Sequence, residues 1–387
     1  MSYYKRYLRI KLPQRQSAFL WGARKTGKST FLKKSFPDAI YYDLLKSDIF
    51  LSLSSTPHLL REELATANNA GRLVIIDEVQ KIPALLDEVH WLIENTSLQF
   101  ILCGSSARKL KRYGVNMLGG RAWKYHFFPL AFPELPEFDL LKISQRGTIP
   151  THYDSSAPNK ALKAYLEDYI TLEIQSEGLV RNLSAFVRFT DAIRFSHAEM
   201  LNYSNIAREA HIDAKTVSSY FSILVDTLMG YLIYPFKKYI GRQIISETPK
   251  FYLFDVGVAN YLQQYRIDEL KGQQAGKALE HYILLELLAY RDLNEKDFEI
   301  NYWRTKAGLE VDFILGGGQT ALEVKLEEQP DKSDLRGLIA FCEEHHPKSA
   351  YLICMVPRAR RIKHDHLTID VLPVKTFLEQ LWDGKII

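Results

Sequence analysis

The run Phe19-Leu20-Trp21-Gly22-Ala23-Arg24-Lys25-Thr26-Gly27-Lys28-Ser29-Thr30 restricts this chain more than any other: an apolar segment, Ala18–Trp21, delivers a G-x-x-x-x-G-K-S loop. A backbone can wrap a di- or triphosphate only where glycine relieves the Cβ restrictions, so that successive N–H groups point inward. Gly22 and Gly27 supply the bends, with Ala23, Arg24, Lys25 and Thr26 between them. A helix expected from Lys28 turns its partial positive end toward the phosphates. Lys28 reaches the outer phosphates, the Ser29 hydroxyl is available to Mg²⁺, and Thr30 flanks the α-phosphate. The spacing predicts a nucleotide-binding α/β fold with ATP and Mg²⁺ as cofactors.

A second motif follows about 50 residues on, the distance expected between the two halves of such a site. Leu73–Ile76 run straight into Asp77 and Glu78, which reads as a parallel strand buried on both faces and ending at the ligand edge of the sheet. Asp77 is expected in the magnesium shell, and Glu78 is expected to polarise the attacking water. The strand Leu98–Cys103 ends in Gly104-Ser105-Ser106, and Ser105 is the candidate sensor of the γ-phosphate. A helix is expected over Ala107–Arg112. Arg121, just past two glycines, could reach a neighbouring subunit's nucleotide, because a guanidinium is always charged and matches phosphate bidentately.

GARKTGKST, LVIIDEVQ, ILCGSSARKL and LGGRAWKYHFFPLAFPE, in that order within the first 135 residues, resemble the AAA-type ATPases of the AAA_14/DUF4143 family. Downstream, LNYSNIAREAHIDAKTVSSYFSILVDT, PKFYLFDVGVANYL, KALEHYILLEL, YWRTKAGLEVDFIL and ALEVK extend the likeness over nearly the whole chain. The expected organisation is a AAA-type core over 1–136, a linker or loop over 137–160, a helical and winged-helix domain over 161–270, and a final α/β domain over 271–387. The resemblance implies a homo-oligomer, a ring such as a hexamer, with Arg121 of each subunit given to the next.

The 387 residues are enough for two to three cores. No apolar run approaches the roughly 18 residues of a membrane span, and the first residues lack a signal-peptide core, so the expectation is a cytoplasmic protein without membrane partners. Cys103, Cys342 and Cys354 lie in apolar stretches without metal spacing and are expected as buried thiols. A net charge of +4 permits local basic faces without arguing strongly for nucleic acid.

Residues 161–192 read as helical, with Leu162, Tyr165, Leu166, Tyr169 and Ile170 at three- and four-residue spacing. Then comes a helix-turn-helix pattern: Ser204–Ala210, a turn over His211–Asp213 with Asp213 as N-cap, and a second helix from Ala214. Val217, Phe221, Leu224, Val225 and Leu228 line one face of the second helix and leave Lys215, Ser218 and Ser219 outside. Strands LIYPFKKY and KFYLF complete a winged version, with Lys237, Lys238 and Arg242 as candidate phosphate contacts on DNA.

The last third reads as a helix (Gly276–Tyr290), strands Phe298–Arg304, Leu309–Leu315 and Ala321–Leu326, a helix (Ser333–Glu344) and a strand (Ala350–Val356). That order resembles the core of the PD-(D/E)XK nuclease superfamily. The resemblance implies Asp312 and Glu323 as Mg²⁺ ligands with the Val324 carbonyl, Glu280 as support to the metal shell, and Lys325 as the group that positions water or stabilises the phosphorane charge. Strand alternation puts Glu323 and Lys325 on one side. Val311 stands where the superfamily has proline, and Glu310 adds a carboxylate with no assigned role.

Three function classes remain open to the sequence. One is an ATP-hydrolysing DNA-processing enzyme that translocates or remodels duplex or branched DNA, of helicase or branch-migration type, with a Mg²⁺-dependent nuclease domain. Another is a nucleotide-controlled regulatory or defence switch. The third is a DNA-binding regulator without chemistry. Glu78, Arg121 and the set Glu280, Asp312, Glu323 and Lys325 favour the first.

Overall fold

Continuous apolar runs bounded by glycine or polar residues become the inner strands of the N-terminal sheet, as strands covered on both faces should. The computed structural model describes residues 3–65, 69, 71–106, 108, 110, 118–170, 182–237, 248–331, 333–364 and 367–387. Strands β1 (Ser17–Trp21), β2 (Ile40–Asp43), β3 (Leu73–Asp77), β4 (Gln99–Gly104) and β5 (Ala122–His126) form one parallel sheet in the order β2-β3-β4-β1-β5. Helices α1 (Lys28–Ser35), α2 (Ser47–Ser55), α3 (Leu59–Leu64) and α4 (Leu85–Asn95) connect them. Leu85, Leu86, Val89, Leu92 and Ile93 recur at helical spacing on α4 and close the core over Val74, Ile76 and Phe100. This sheet belongs to a unit of Lys5–Pro129 with Ser222–Met229.

A second unit holds Leu130–Phe221 and Gly230–Ile387, so the middle of the chain and its last third share one body. The stretch expected as a linker, 137–160, instead forms helices Leu140–Arg146 and Pro150–Tyr153 and the start of Pro158–Ala164. Each begins on a local signal: the Asp139 carboxylate accepts the Lys142 N–H at 2.9 Å, and Pro150 and Pro158 open their helices. Helices this short show no 3.6-residue period, which is why the pattern hid them. Gly147 (φ +71°) ends the first, and a Cβ there would lie 1.9 Å from an Asp255 carboxylate oxygen.

The helix expected over 161–192 is interrupted at Asn182, and 171–181 lie outside the described residues. Pro158–Ala164 passes into a π-helical turn, Tyr165–Ile170, and Leu183–Ile193 begins afresh with Asn182 as its cap. Helices Tyr203–Ala210 and Ala214–Asp226 follow, joined by His211 in the left-handed region and by Asp213, whose carboxylate accepts the Thr216 N–H at 2.9 Å. Strand β6 (Gly230–Ile233) pairs antiparallel with β7 (Lys250–Leu253). The expected strand LIYPFKKY stops at Ile233, and Pro235, which lacks an N–H, makes only an isolated bridge to Tyr302.

The long helix Gly272–Leu293 lies in the same unit as a mixed six-stranded sheet. Its strands are β8 (Ile300–Arg304), β9 (Glu310–Leu315), β10 (Thr320–Val324), β11 (Ser349–Cys354), β12 (Arg360–His364) and β13 (Leu367–Pro373), in the order β12-β13-β11-β10-β9-β8. Strands β10, β11 and β13 run parallel, and the other pairings are antiparallel. Helix Arg336–His345 packs on β9 and β10 so closely that a Cβ on Gly337 would sit 1.9 Å from the Glu310 carbonyl oxygen. The three cysteines are buried and unbridged. No described helix is long and apolar enough to cross a membrane.

Candidate nucleotide site and acidic cluster

The register of the first sheet brings the predicted residues to one edge. Trp21 lies opposite Gly104, and Asp77 opposite Cys103, so Gly22, Glu78 and Ser105 each leave the carboxyl end of a strand at the same level. Residues Ala23, Arg24, Lys25 and Thr26 form the turn between, and Thr26 Oγ1 closes it on the Ala23 carbonyl at 2.7 Å. A Cβ on Gly22 would meet the Phe127 carbonyl oxygen at 2.4 Å, and Gly27 has φ +97°, so neither position accepts a larger residue without strain. Helix α1 begins at Lys28 and carries Ser29 and Thr30 in its first turn. Lys28 is buried, and its ammonium donates to the carbonyls of Gly22 at 2.7 Å and Ala23 at 2.9 Å.

Two groups that sequence reasoning missed hold this site. Arg6 donates to the Thr26 carbonyl at 2.7 Å and covers the Phe127 ring at 4.1 Å, clamping the loop from outside. Tyr41, on β2, donates to Asp77 Oδ2 at 2.6 Å; burial and the Asp77 charge raise its phenol well above the ordinary value. Asp77 Oδ1 is buried without an N–H or O–H partner among the described residues. Ser29 and Asp77 therefore fit a divalent cation: a hydroxyl and an unsatisfied carboxylate oxygen are the hard ligands Mg²⁺ takes beside phosphate.

Glu78 sits in the left-handed region (φ +61°), where a non-glycine residue needs support. Gln80 gives it: its amide donates to Glu78 Oε2 at 2.5 Å and to Ser105 Oγ at 3.1 Å. Gly104 makes room, since a Cβ there would lie 2.3 Å from Gln80 Oε1. The Glu78 carboxylate, the Ser105 hydroxyl and the bridging Gln80 amide thus form one buried chain. Arg121 precedes β5 and pairs with Glu94 of α4. To act on a second subunit it would have to exchange that partner.

The C-terminal residues also meet, but around lysines. Glu280 is on the helix Gly272–Leu293, Asp312 on β9, Glu323 on β10, and Lys325 just beyond it. Asp312 Oδ2 accepts the Val324 N–H at 2.8 Å, and Lys325 pairs with Glu323 Oε1 at 2.6 Å. Burial raises the Asp312 carboxyl well above the ordinary range, with Glu323 and Glu280 adding repulsion, and burial pushes Glu323 up to about 7. An unexpected group, Lys250 of β7, is buried beside Glu280 and Glu310. Glu323 Oε2 lacks a partner, which would suit a metal, yet no set of three ligands able to hold an ion converges among the described residues. As arranged, the cluster does not fit Mg²⁺.

On the helix Ala214–Asp226, Lys215, Ser218 and Ser219 are exposed while Val217, Phe221 and Leu224 are buried. Lys237 is exposed beyond β6; Lys238 and Arg242 lie outside the described residues, as do most of Ala107–Arg112.

Three family matches cover the chain in succession. Residues 14–136 match a AAA domain (AAA_14), 138–269 a domain of unknown function (DUF8612), and 275–377 another (DUF4143). An uncharacterised protein of Methanocaldococcus jannaschii, MJ1544, is 21% identical over 345 residues, covering 81% of this chain and 75% of that one. Among solved structures, the Aeropyrum pernix ORC1 protein in complex with DNA is 13% identical over 64% of this chain and 86% of its own, with a TM-score of 0.24. A STAND signal-transduction ATPase with a tetratricopeptide repeat sensor from Pyrococcus horikoshii is 14% identical over 73% of this chain and 43% of its own, with a TM-score of 0.19. Likenesses that slight carry no statement about this chain.

Proposed function

We propose that this chain, which belongs to the AAA_14/DUF4143 family, binds and hydrolyses ATP and couples turnover to the remodelling or translocation of duplex or branched DNA. The observation that carries the reading is the single sheet edge shared by the loop Gly22–Thr30, Asp77, Glu78 and Ser105. The loop N–H groups and the start of α1 bind the phosphates, and Lys28 leaves the loop carbonyls to meet the outer ones. Mg²⁺, held by Ser29 and through water by Asp77, would neutralise charge that develops on the transferred phosphoryl group. Glu78 takes the proton of the attacking water, Ser105 reports the γ-phosphate, and Gln80 keeps these two at fixed separation. In a homo-oligomeric ring, Arg121 would exchange Glu94 for a neighbour's nucleotide.

DNA contact is assigned to the polar face of the helix Ala214–Asp226, with Lys215, Ser218 and Ser219, in a winged-helix arrangement completed by β6, β7 and Lys237. The acidic cluster of the C-terminal domain contributes no step, since its carboxylates already carry lysine partners. ATP hydrolysis measured with linear duplex and four-way-junction DNA tests the reading. Lys28→Ala should lose nucleotide binding, whereas Glu78→Gln should keep it and lose about 10²-fold or more in turnover. Normal hydrolysis in Glu78→Gln would move the base elsewhere, and hydrolysis indifferent to every DNA would favour a nucleotide-controlled switch.

A further inference from the structure

The acidic cluster differs from an open metal site in one respect: its cation is already part of the chain. Lys250 reaches it from β7, and its side chain is only 5% exposed. It forms an ion pair with Glu310, lies 3.6 Å from Glu280 Oε1, and sits over the Tyr302 ring at 5.3 Å. Arg304 takes the other Glu310 oxygen at 3.2 Å, and the Tyr252 hydroxyl donates to Glu280 Oε1 at 2.6 Å. Together with the Asp312 and Glu323 bonds above, these partners leave Glu323 Oε2 as the unengaged buried oxygen of the cluster among the described residues. Mg²⁺ demands several oxygens at about 2.1 Å in near-octahedral array. An ammonium held on Glu280 and Glu310 takes up oxygens that would support such an array and repels a second cation, strongly so away from solvent.

We propose that Lys250 is the built-in counter-ion of Glu280 and Glu310, and that it excludes divalent metal from the neighbouring Asp312–Glu323 site while it is in place. The lysine stabilises carboxylates that burial would otherwise drive toward protonation, and it joins β7 to the helix Gly272–Leu293 and to β9 in one ionic unit. The domain then keeps the acid and lysine pattern of a nuclease without its metal.

The test is a Mn²⁺ titration of the nucleotide-free full-length protein, followed by the electron paramagnetic resonance signal of free Mn²⁺. The wild type should show no site that Asp312→Asn removes. Lys250→Met should gain one, bound at least about tenfold more tightly than by wild type, a change of about 1.4 kcal/mol. Adding Asp312→Asn to it should abolish the gain. Lys250→Gln, with circular dichroism of each variant, covers misfolding of the methionine form. One Mn²⁺ bound by wild type and lost in Asp312→Asn would overturn the proposal, as would folded Lys250 variants that gain nothing. If neither lysine variant folds, the wild-type titration alone decides.

Discussion

At the candidate nucleotide site, Gln80 joins two of the proposed machinery's residues without belonging to the loop Gly22–Thr30. Its amide ties the Glu78 carboxylate, held at a strained backbone position, to the Ser105 hydroxyl. Removing the amide frees both groups to leave their shared geometry, and a general base displaced by an ångström loses much of its effect. Gln80→Ala should therefore lower kcat roughly tenfold with nucleotide affinity unchanged. Stopped-flow binding of a fluorescent ATP analogue beside steady-state hydrolysis separates the two, and a parallel loss of affinity would make Gln80 merely structural. The meeting of Gly22, Gly27, Lys28, Asp77 and Glu78 at one sheet edge was legible in the sequence because spacing along the chain fixes it. Gln80, Tyr41 and Lys250 were not, since each acts across strands or through a hairpin, where only the register decides which side chains meet.

Among the elements, the long helix Gly272–Leu293 shows how a buried acid can organise a fold. Glu286 accepts the Phe132 N–H at 2.9 and 3.1 Å and the Trp382 indole N–H at 2.9 Å, joining three segments far apart in sequence. Burial pushes its carboxyl from the ordinary 4.5 up to about 7, against the pull of those donors. The folded state thus holds this proton more tightly than the unfolded one, so the contribution is fully present below about pH 4.5 and is lost as pH rises through about 7. Relative to Glu286→Gln, wild-type unfolding free energy should fall across that window by an amount on the order of 3 kcal/mol. Urea unfolding of both proteins at several pH values measures it, and parallel profiles would place the titration elsewhere. Element type was readable wherever an apolar pattern was long, as on the helix Gly272–Leu293 and on β3. The short helices between 140 and 164 carry caps but no period, and β12, with the sequence RRIKH, is an edge strand whose charges hide it from a search for apolar alternation.

For the whole molecule, the proposed function requires a route from nucleotide state to DNA. Arg108 stands three residues after Ser105 and donates to Asp226 Oδ2 at 2.6 Å, and Asp226 ends the helix whose first turns expose Lys215, Ser218 and Ser219. On the proposed function, a shift of Ser105 on meeting the γ-phosphate would reach Asp226 through Arg108. Binding linkage is reciprocal: if ATP tightens DNA binding by some factor, DNA must tighten ATP binding by the same one, typically about 5- to 150-fold in coupled systems. Arg108→Ala should bring both factors toward one while leaving the affinity for each ligand alone nearly intact. DNA affinity should also weaken steeply with salt in either protein, since the proposed phosphate contacts do not involve Arg108. Fluorescence anisotropy with labelled duplex, with and without a non-hydrolysable ATP analogue, measures the coupling. The exchange variant Arg108→Asp with Asp226→Arg should restore part of it, because the same ion pair can form with its charges reversed. Coupling that survives Arg108→Ala intact would mean that the signal leaves the nucleotide site by another route.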